Sequence, residues 1–163
     1  MHKWLNCDYV IEWYGKKKWT FREIEDKYLP YINNEMPTQG YLILYNNTPI
    51  GYIQTYKIHD YPDYDKSVDI DENASGLDLF IGEYEYFHKG LGKHIVSKFL
   101  KEIIFKLNDS VSCILGPEPK NKVAIRTYEN VGFKYVKTIQ VQEEYESENI
   151  MRITRSQIMQ LES

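Results

Sequence analysis

Two glycine-bearing strings and one carboxylate stand out in this chain as groups that can do chemistry. The first string is Lys89-Gly90-Leu91-Gly92-Lys93, placed between the alternating residues Leu77, Leu79 and Ile81 and a long amphipathic run. Glycines let a backbone approach a ligand closely, and the first turn of a helix offers N–H groups without intrahelical partners. With the macrodipole behind them, such donors suit a phosphate or pyrophosphate. The string is not a P-loop, because the GxxxxGK[ST] spacing is missing, and Ile95 stands where a dinucleotide fingerprint has its third glycine. By itself the GxG spacing fits an ordinary strand-to-helix turn equally well. The second string runs from Asn121 through Ala124, Arg126, Thr127 and Tyr128 to Gly132-Phe133. The carboxylate is Asp78, set between Leu77 and Leu79. Burial there would raise its pKa above the free value of about 3.9.

Other chemistries find little support. Cys7 and Cys113 are far apart, and His2, His59, His88 and His94 are scattered, so no metal-ligand spacing exists and no metal is expected. No apolar run approaches the roughly 20 residues of a membrane span, and the amino terminus does not follow a signal pattern. A cytoplasmic protein with reduced thiols is the default expectation, with Cys113 an apolar filler. The chain has 163 residues, which fits a single domain over 1–163. Apolar residues make up 42%, and 15 tyrosines enrich the composition in rings that can line a pocket. The net charge of −4 argues against a general nucleic-acid binder.

The elements that must position these groups follow from periodicity and punctuation. Trp4, Leu5, Val10 and Ile11 predict a helix over 1–12, closed at Gly15. Thr20 and Glu23 form a capping-box pattern that opens a second helix, predicted to stop near Pro30. Apolar runs at 41–45 and 50–58 around Asn46-Asn47-Thr48-Pro49 predict a hairpin. Residues 60–75 are acidic and aperiodic and read as a long loop. A strand at 77–81 precedes a helix in which Leu91, Ile95, Val96, Phe99, Leu100, Ile103, Ile104 and Leu107 recur at spacings of three and four. A short strand at 111–115, a helix at 124–131 and a closing strand pair at 133–142 and 148–155 complete an α/β order.

The string Asn121 to Phe133 resembles the fourth-helix motif N-x-x-A-x-x-x-Y-x-x-x-G-F of the GNAT-type N-acetyltransferases, and it follows the GxG turn in the family's order. The resemblance implies a GNAT fold: a central mixed, mostly antiparallel sheet with helices on both faces, splayed at an acetyl-CoA cleft. It also implies that Lys89, Gly90, Leu91, Gly92 and Lys93 hold the pyrophosphate of acetyl-CoA. Phe80 and Ile81 would pair with its pantetheine arm, and Asn121 and Ala124 would sit beside it. Ile11 to Gly15, Tyr28-Leu-Pro30, Pro49 to Tyr56 and Gly76-Leu77-Asp78 are similar to the aminoglycoside 6′-N-acetyltransferase branch. In that branch the implied roles are Asp78 as base or cation holder, Tyr128 as proton donor to the CoA sulfur, and Trp13, Tyr28, Gln54 and Tyr56 as residues around the sugar rings. Three positions depart from the pattern. Phe87 begins the turn where the wider family has Gln or Arg, Gly116-Pro117 replaces an Asp-Pro pair whose Asp meets a drug amine, and the chain starts inside the first helix, without the family's first strand.

The charge distribution agrees with two unlike substrates. Residues 60–78 hold seven acids and one Lys, and residues 141–149 hold four acids and no base. Residues 86–138 hold ten bases and four acids. A basic segment carries both proposed CoA motifs, and two acidic segments suit a small polycationic acceptor such as an aminoglycoside. Other amines remain open at this stage: a hydroxylysine-type siderophore precursor, a polyamine or a protein amino terminus. So does a non-catalytic acetyl-CoA-binding module. The oligomeric state is not readable.

Overall fold

The structure is a computed structural model that describes residues 1–141 and 146–161. Six strands among them follow the sheet order β1-β2-β3-β4-β6-β5 and are flanked by helices. They are β1 (Gln39–Tyr45), β2 (Thr48–Lys57), β3 (Ala74–Ile81), β4 (Ser112–Leu115), β5 (Lys134–Gln140) and β6 (Ser147–Thr154). Pairing is antiparallel for β1 with β2, β4 with β6 and β5 with β6, and parallel for β3 with β4. The parallel register covers only Ala74–Gly76 against Ser112–Ile114, while β3 continues to Ile81. No strand among the described residues precedes β1. The chain divides into two compact units, Met1–Tyr56 with Asp78–Leu91 and Lys57–Leu77 with Gly92–Ser163.

In the first unit, the expected amino-terminal helix is two short helices, α1 (His2–Leu5) and α2 (Asp8–Ile11). The break has a cause in Asn6. Its amide donates to the carbonyls of His2 and Trp19 at 2.9 Å each, and accepts from the Trp19 N–H at 2.8 Å. A side chain spent on backbone groups at residue 19 competes with helix continuation. The capping box of Thr20 and Glu23 opens α3 (Phe21–Ile32) as predicted, but the helix passes through Pro30. So near the carboxyl end, the proline removes one donor and little else.

The hairpin turn is shorter than predicted. Asn46 and Asn47 have φ of 46° and 63° and make a two-residue turn, the conformation that matches strand twist. Thr48 and Pro49 therefore belong to β2. Pro49 lies opposite Leu44, at a register shift on the sheet's edge hairpin, where a missing donor is tolerated. Trp4, Leu5, Val10, Ile24, Tyr28, Tyr52 and Phe80 form this unit's core.

In the second unit, the predicted loop at 60–75 contains α4 (Pro62–Val68). Proline in its first turn and Asp63 and Asp65 beside the helix's positive end are start signals that aperiodic composition obscured. The long helix is α5 (Leu91–Phe99), a π-helical stretch at Leu100–Ile104, and α6 (Phe105–Leu107). Phe99, Leu100, Ile104 and Phe105 are all buried. Partners five apart share a face only where i→i+5 bonding widens the turn, which explains the π stretch. Beyond α7 (Lys122–Val131), the terminal α8 (Arg155–Gln160) was not predicted, although Thr154 and Gln157 form a second capping box. Arg155 donates to the carbonyls of Asn108 and Ser110 at 2.8 and 3.0 Å.

A partly buried ion pair locks β6 to the segment before β3. Arg152 donates from Nε and from Nη2, the latter at 2.7 Å, to Glu72, which also accepts from Ser112 Oγ at 2.6 Å. The Arg152 guanidinium, helped by Ser112, holds the Glu72 carboxyl below its usual range. We expect Arg152→Met to lower the unfolding free energy by about 1–3 kcal/mol at neutral pH, read by urea titration. A depressed carboxylate stabilises above its unfolded pKa and ceases to do so as pH falls through its folded one. The gap between wild type and variant should therefore narrow in acid.

Candidate active site

The first unit gathers a set of aromatic and polar side chains around Asp78. β2 presents Tyr52, Gln54 and Tyr56 at alternate positions, hence on one face. Gln54 Nε2 donates to Asp78 Oδ2 at 2.9 Å, and Tyr56 also hydrogen-bonds to Asp78. Helix α3 contributes Tyr28, and Tyr14 follows α2. The rings interlock edge to face: Tyr28 on Tyr52 at 5.3 Å and Tyr14 on Phe80 at 4.8 Å. Phe80 also meets Trp4 and Tyr52.

The electrostatics follow from this enclosure. Burial pushes the Asp78 carboxyl up, against the Gln54 hydrogen bond, the Lys27 charge and the Tyr56 hydrogen bond, each of which favours the ionised form. Burial raises the Tyr28 phenol to about 12 and pushes the Tyr14 and Tyr52 phenols well above their ordinary value, with the Asp78 charge contributing to each. All three are neutral donors at physiological pH. Tyr28 is 5% exposed. Tyr14 lies against it, but no neighbour among the described residues meets the Tyr28 hydroxyl with hydrogen-bond geometry. A buried hydroxyl left unpaired costs about 1–3 kcal/mol, which a polar ligand can recover. A carboxylate walled by phenol rings and amides is an environment for an ammonium group that must be bound and then deprotonated.

Of the residues expected at the acceptor site, the structure brings Tyr28, Gln54, Tyr56 and Asp78 together. Trp13 is 37% exposed, with the Lys16 ammonium 5.4 Å over its ring. Tyr14 and Tyr52 were not predicted. Their signals were available: Tyr14 continues the helical spacing from Val10, and Tyr52 shares the alternation of Gln54 and Tyr56. Phe80 packs its ring into this core, and Ile81 is half-buried.

The glycine turn ends the first unit and α5 begins the second. Gly90 has a φ of 71° directly before α5, with open space where a Cβ would stand, so backbone conformation is what calls for glycine there. Lys89 and Lys93 are exposed, and the Lys89 ammonium lies 5.5 Å over the Tyr86 ring. In the second unit, a Cβ on Gly92 would come 2.9 Å from Thr127 Cγ2, so the amino-terminal turn of α5 packs closely on α7. Asn121 caps α7 by accepting from the Ala124 N–H at 3.1 Å. This gives both residues a structural task beside their expected place at acetyl-CoA. Tyr128 is half-buried on α7, with its ring 6.0 Å from that of Phe133.

Gly116 proves to be more than a missing Asp. Its place beside β6 leaves room for Glu148, whose carboxylate would stand 2.2 Å from a Cβ at residue 116 and accepts from the Tyr64 hydroxyl at 2.8 Å. A carboxylate therefore occupies the space over Gly116, supplied from the neighbouring strand. Other acids of these segments are already paired: Asp65 with His59 at 2.8 Å and Glu146 with Lys120 at 3.8 Å. Glu143 and Glu144 lie outside the described residues. Among the described residues, no group of His, Cys, Asp and Glu is placed to hold a metal ion. No described helix is long and apolar enough to cross a membrane.

Residues 1–141 match a family model described as an acetyltransferase (GNAT) domain. An aminoglycoside N(6′)-acetyltransferase type 1 of Klebsiella pneumoniae is 29% identical over 141 residues, covering 85% of this chain and 70% of its own length. Among solved structures, the aminoglycoside acetyltransferase AAC(6′)-Ib bound to coenzyme A superposes with a TM-score of 0.87 at 27% identity, over 99% of this chain and 91% of its own. The same enzyme with paromomycin and acetyl-CoA gives a TM-score of 0.88 over 99% and 90% of the two chains, again at 27% identity.

The Gly116 geometry yields a test independent of turnover. Gly116→Asp should drive the Glu148 carboxylate off Tyr64 and set two carboxylates side by side, lowering stability by about 1–2 kcal/mol. Thermal unfolding of Gly116→Asp/Glu148→Ala, which removes the overlapping carboxylate, should recover part of that loss.

Proposed function

The chain belongs to the GNAT acetyltransferase family, and we propose that it works as one acetyl-CoA-dependent N-acetyltransferase domain whose acceptor is the 6′-amine of an aminoglycoside. The observation that carries this reading is the enclosed Asp78 with its amide and phenol partners. The wider support is the likeness to enzymes that act on aminoglycosides. A cationic amine is attracted to the carboxylate and oriented by Gln54, Tyr28 and Tyr56.

The amine must lose a proton before it can attack. An aliphatic amine is largely protonated near neutral pH, and an ordinary carboxyl is a poor base for it. Burial narrows the mismatch by raising Asp78, which takes the proton directly or through a water. Acetyl-CoA supplies the thioester whose carbonyl the amine attacks. Lys89, Lys93 and the free N–H groups at the start of α5 fit its phosphates, and Gly90 shapes the turn that exposes them. By resemblance to the family, Leu91, Gly92, Asn121 and Ala124 are the further residues assigned to acetyl-CoA. A backbone N–H near Phe80 stabilises the oxyanion, and Tyr128 returns a proton to the departing sulfur. No acyl-enzyme is required, and Cys113, buried in β4, takes no part.

Purified protein with acetyl-CoA should acetylate kanamycin or tobramycin, detected as CoA release and as one added acetyl group by mass spectrometry. Absence of product at high enzyme concentration would sink the aminoglycoside assignment, and turnover only of spermidine or a peptide would replace it with another amine. Asp78→Asn should lower kcat/KM by about 100-fold or more. In wild type, kcat/KM should fall as pH drops through a carboxyl pKa above the ordinary range, because the ionised form is the one that holds the amine.

A further inference from the structure

The amide of Gln54 sits between two groups that together decide which way it faces. Its Nε2 donates to Asp78 Oδ2 at 2.9 Å, and its Oε1 accepts from the Tyr52 hydroxyl at 3.1 Å. A carboxylate only accepts, so it demands the NH2 end of the amide. The carbonyl end then faces Tyr52, whose hydroxyl must donate. The result is a chain of one polarity, from the Tyr52 O–H through the amide to the carboxylate. The backbone makes room for it. Gly40 of β1 is paired with Gln54 of β2, and a Cβ at residue 40 would stand 2.3 Å from the Tyr52 hydroxyl oxygen.

We propose that Gln54 is a positioning residue for Asp78 and that Tyr52 acts on the carboxylate only by orienting the Gln54 amide. This deepens the acetyl-transfer reading and rests on it for its catalytic meaning. Under that reading Gln54 contacts substrate; here half of its side-chain hydrogen-bonding capacity is committed inside the protein, leaving one amide hydrogen and one carbonyl lone pair for a ligand. The donated bond favours the ionised carboxylate, in a site where burial favours the neutral one. The charged and titratable groups that face Asp78 are Lys27 and Tyr28 from α3, Tyr14 after α2, and Tyr52 and Tyr56 from β2. Tyr56 bonds Asp78 directly and so serves as the comparison for an indirect partner.

The test follows the Asp78 carboxyl by NMR in ligand-free enzyme labelled with 13C-aspartate, its signal assigned with Asp78→Asn. Gln54→Leu should move the titration midpoint upward, and Tyr52→Phe should move it upward by less. Tyr52→Phe combined with Gln54→Leu should match Gln54→Leu alone, whereas Tyr52→Phe combined with Tyr56→Phe should sum the two single effects. On the acidic limb, kcat/KM of Gln54→Leu should fall about five- to tenfold more than at the plateau. Additive shifts in the Tyr52–Gln54 pair, or an unmoved midpoint in Gln54→Leu, would overturn the proposal. Tyr52→Phe removes a single oxygen and decides the matter should Gln54→Leu fail to fold, since an unmoved midpoint there has the same force. Wild-type enzyme that acetylates no amine, while the titrations behave as stated, refutes acetyl transfer and leaves the relay standing. Normal turnover with additive titrations does the reverse.

Discussion

A carboxylate half-buried among apolar rings must be compensated where it sits, and much of the first unit is arranged around that requirement at Asp78. An isolated buried charge would simply take up a proton. Two features keep the balance: hydrogen bonds from Gln54 and Tyr56, and the Lys27 charge on α3. Each of these depends on the local architecture. The face of β2 sets the spacing of its three polar residues, α3 carries Lys27 and Tyr28, and the aromatic core holds Tyr14 and Phe80 edge to face. The local dielectric that burdens Asp78 also strengthens its attraction to the Lys27 charge.

The second unit solves a different problem, the rigid presentation of a helix start. The run through α5 and the π stretch is buried at Val96, Phe99, Leu100 and Ile104, as are Cys113, Ile114, Ile150 and Ile153 of β4 and β6. Gly92 lets the near end close on Thr127 of α7, whose own first turn is capped by Asn121. Arg155 fastens the loop that leads into β4, and the Glu72–Arg152 pair fixes β6. Such anchoring matters at a helix amino terminus because its unpaired N–H groups are useful to a ligand only when they do not have to be reorganised first.

How much of this could be read from residues depended on whether the information was local. The helix α3, the hairpin and the α5–β4–α7 order were visible because capping, alternation and 3.6-residue spacing are properties of short windows. The break at Asn6 was not, since its cause lies at residue 19. The π stretch evaded periodicity because buried partners five apart look like a continuing α-helix until their faces are compared. At the site, Asp78 and Gln54 were reachable through resemblance. Tyr14 and Tyr52 were hidden among 15 tyrosines. Glu148 could not be foreseen at Gly116, because their meeting depends on the bond from the Asn149 N–H to the Pro117 carbonyl that aligns two segments distant in sequence.

The π stretch at Leu100–Ile104 also sets what this helix can tolerate. A turn closed by i→i+5 bonds accommodates one residue more than its α-helical equivalent. Removing one residue between the buried pairs Phe99–Leu100 and Ile104–Phe105 would bring them to a spacing of four, where an ordinary α-helix keeps them on one face. The helix can therefore lose a residue at this place without changing which side chains are buried.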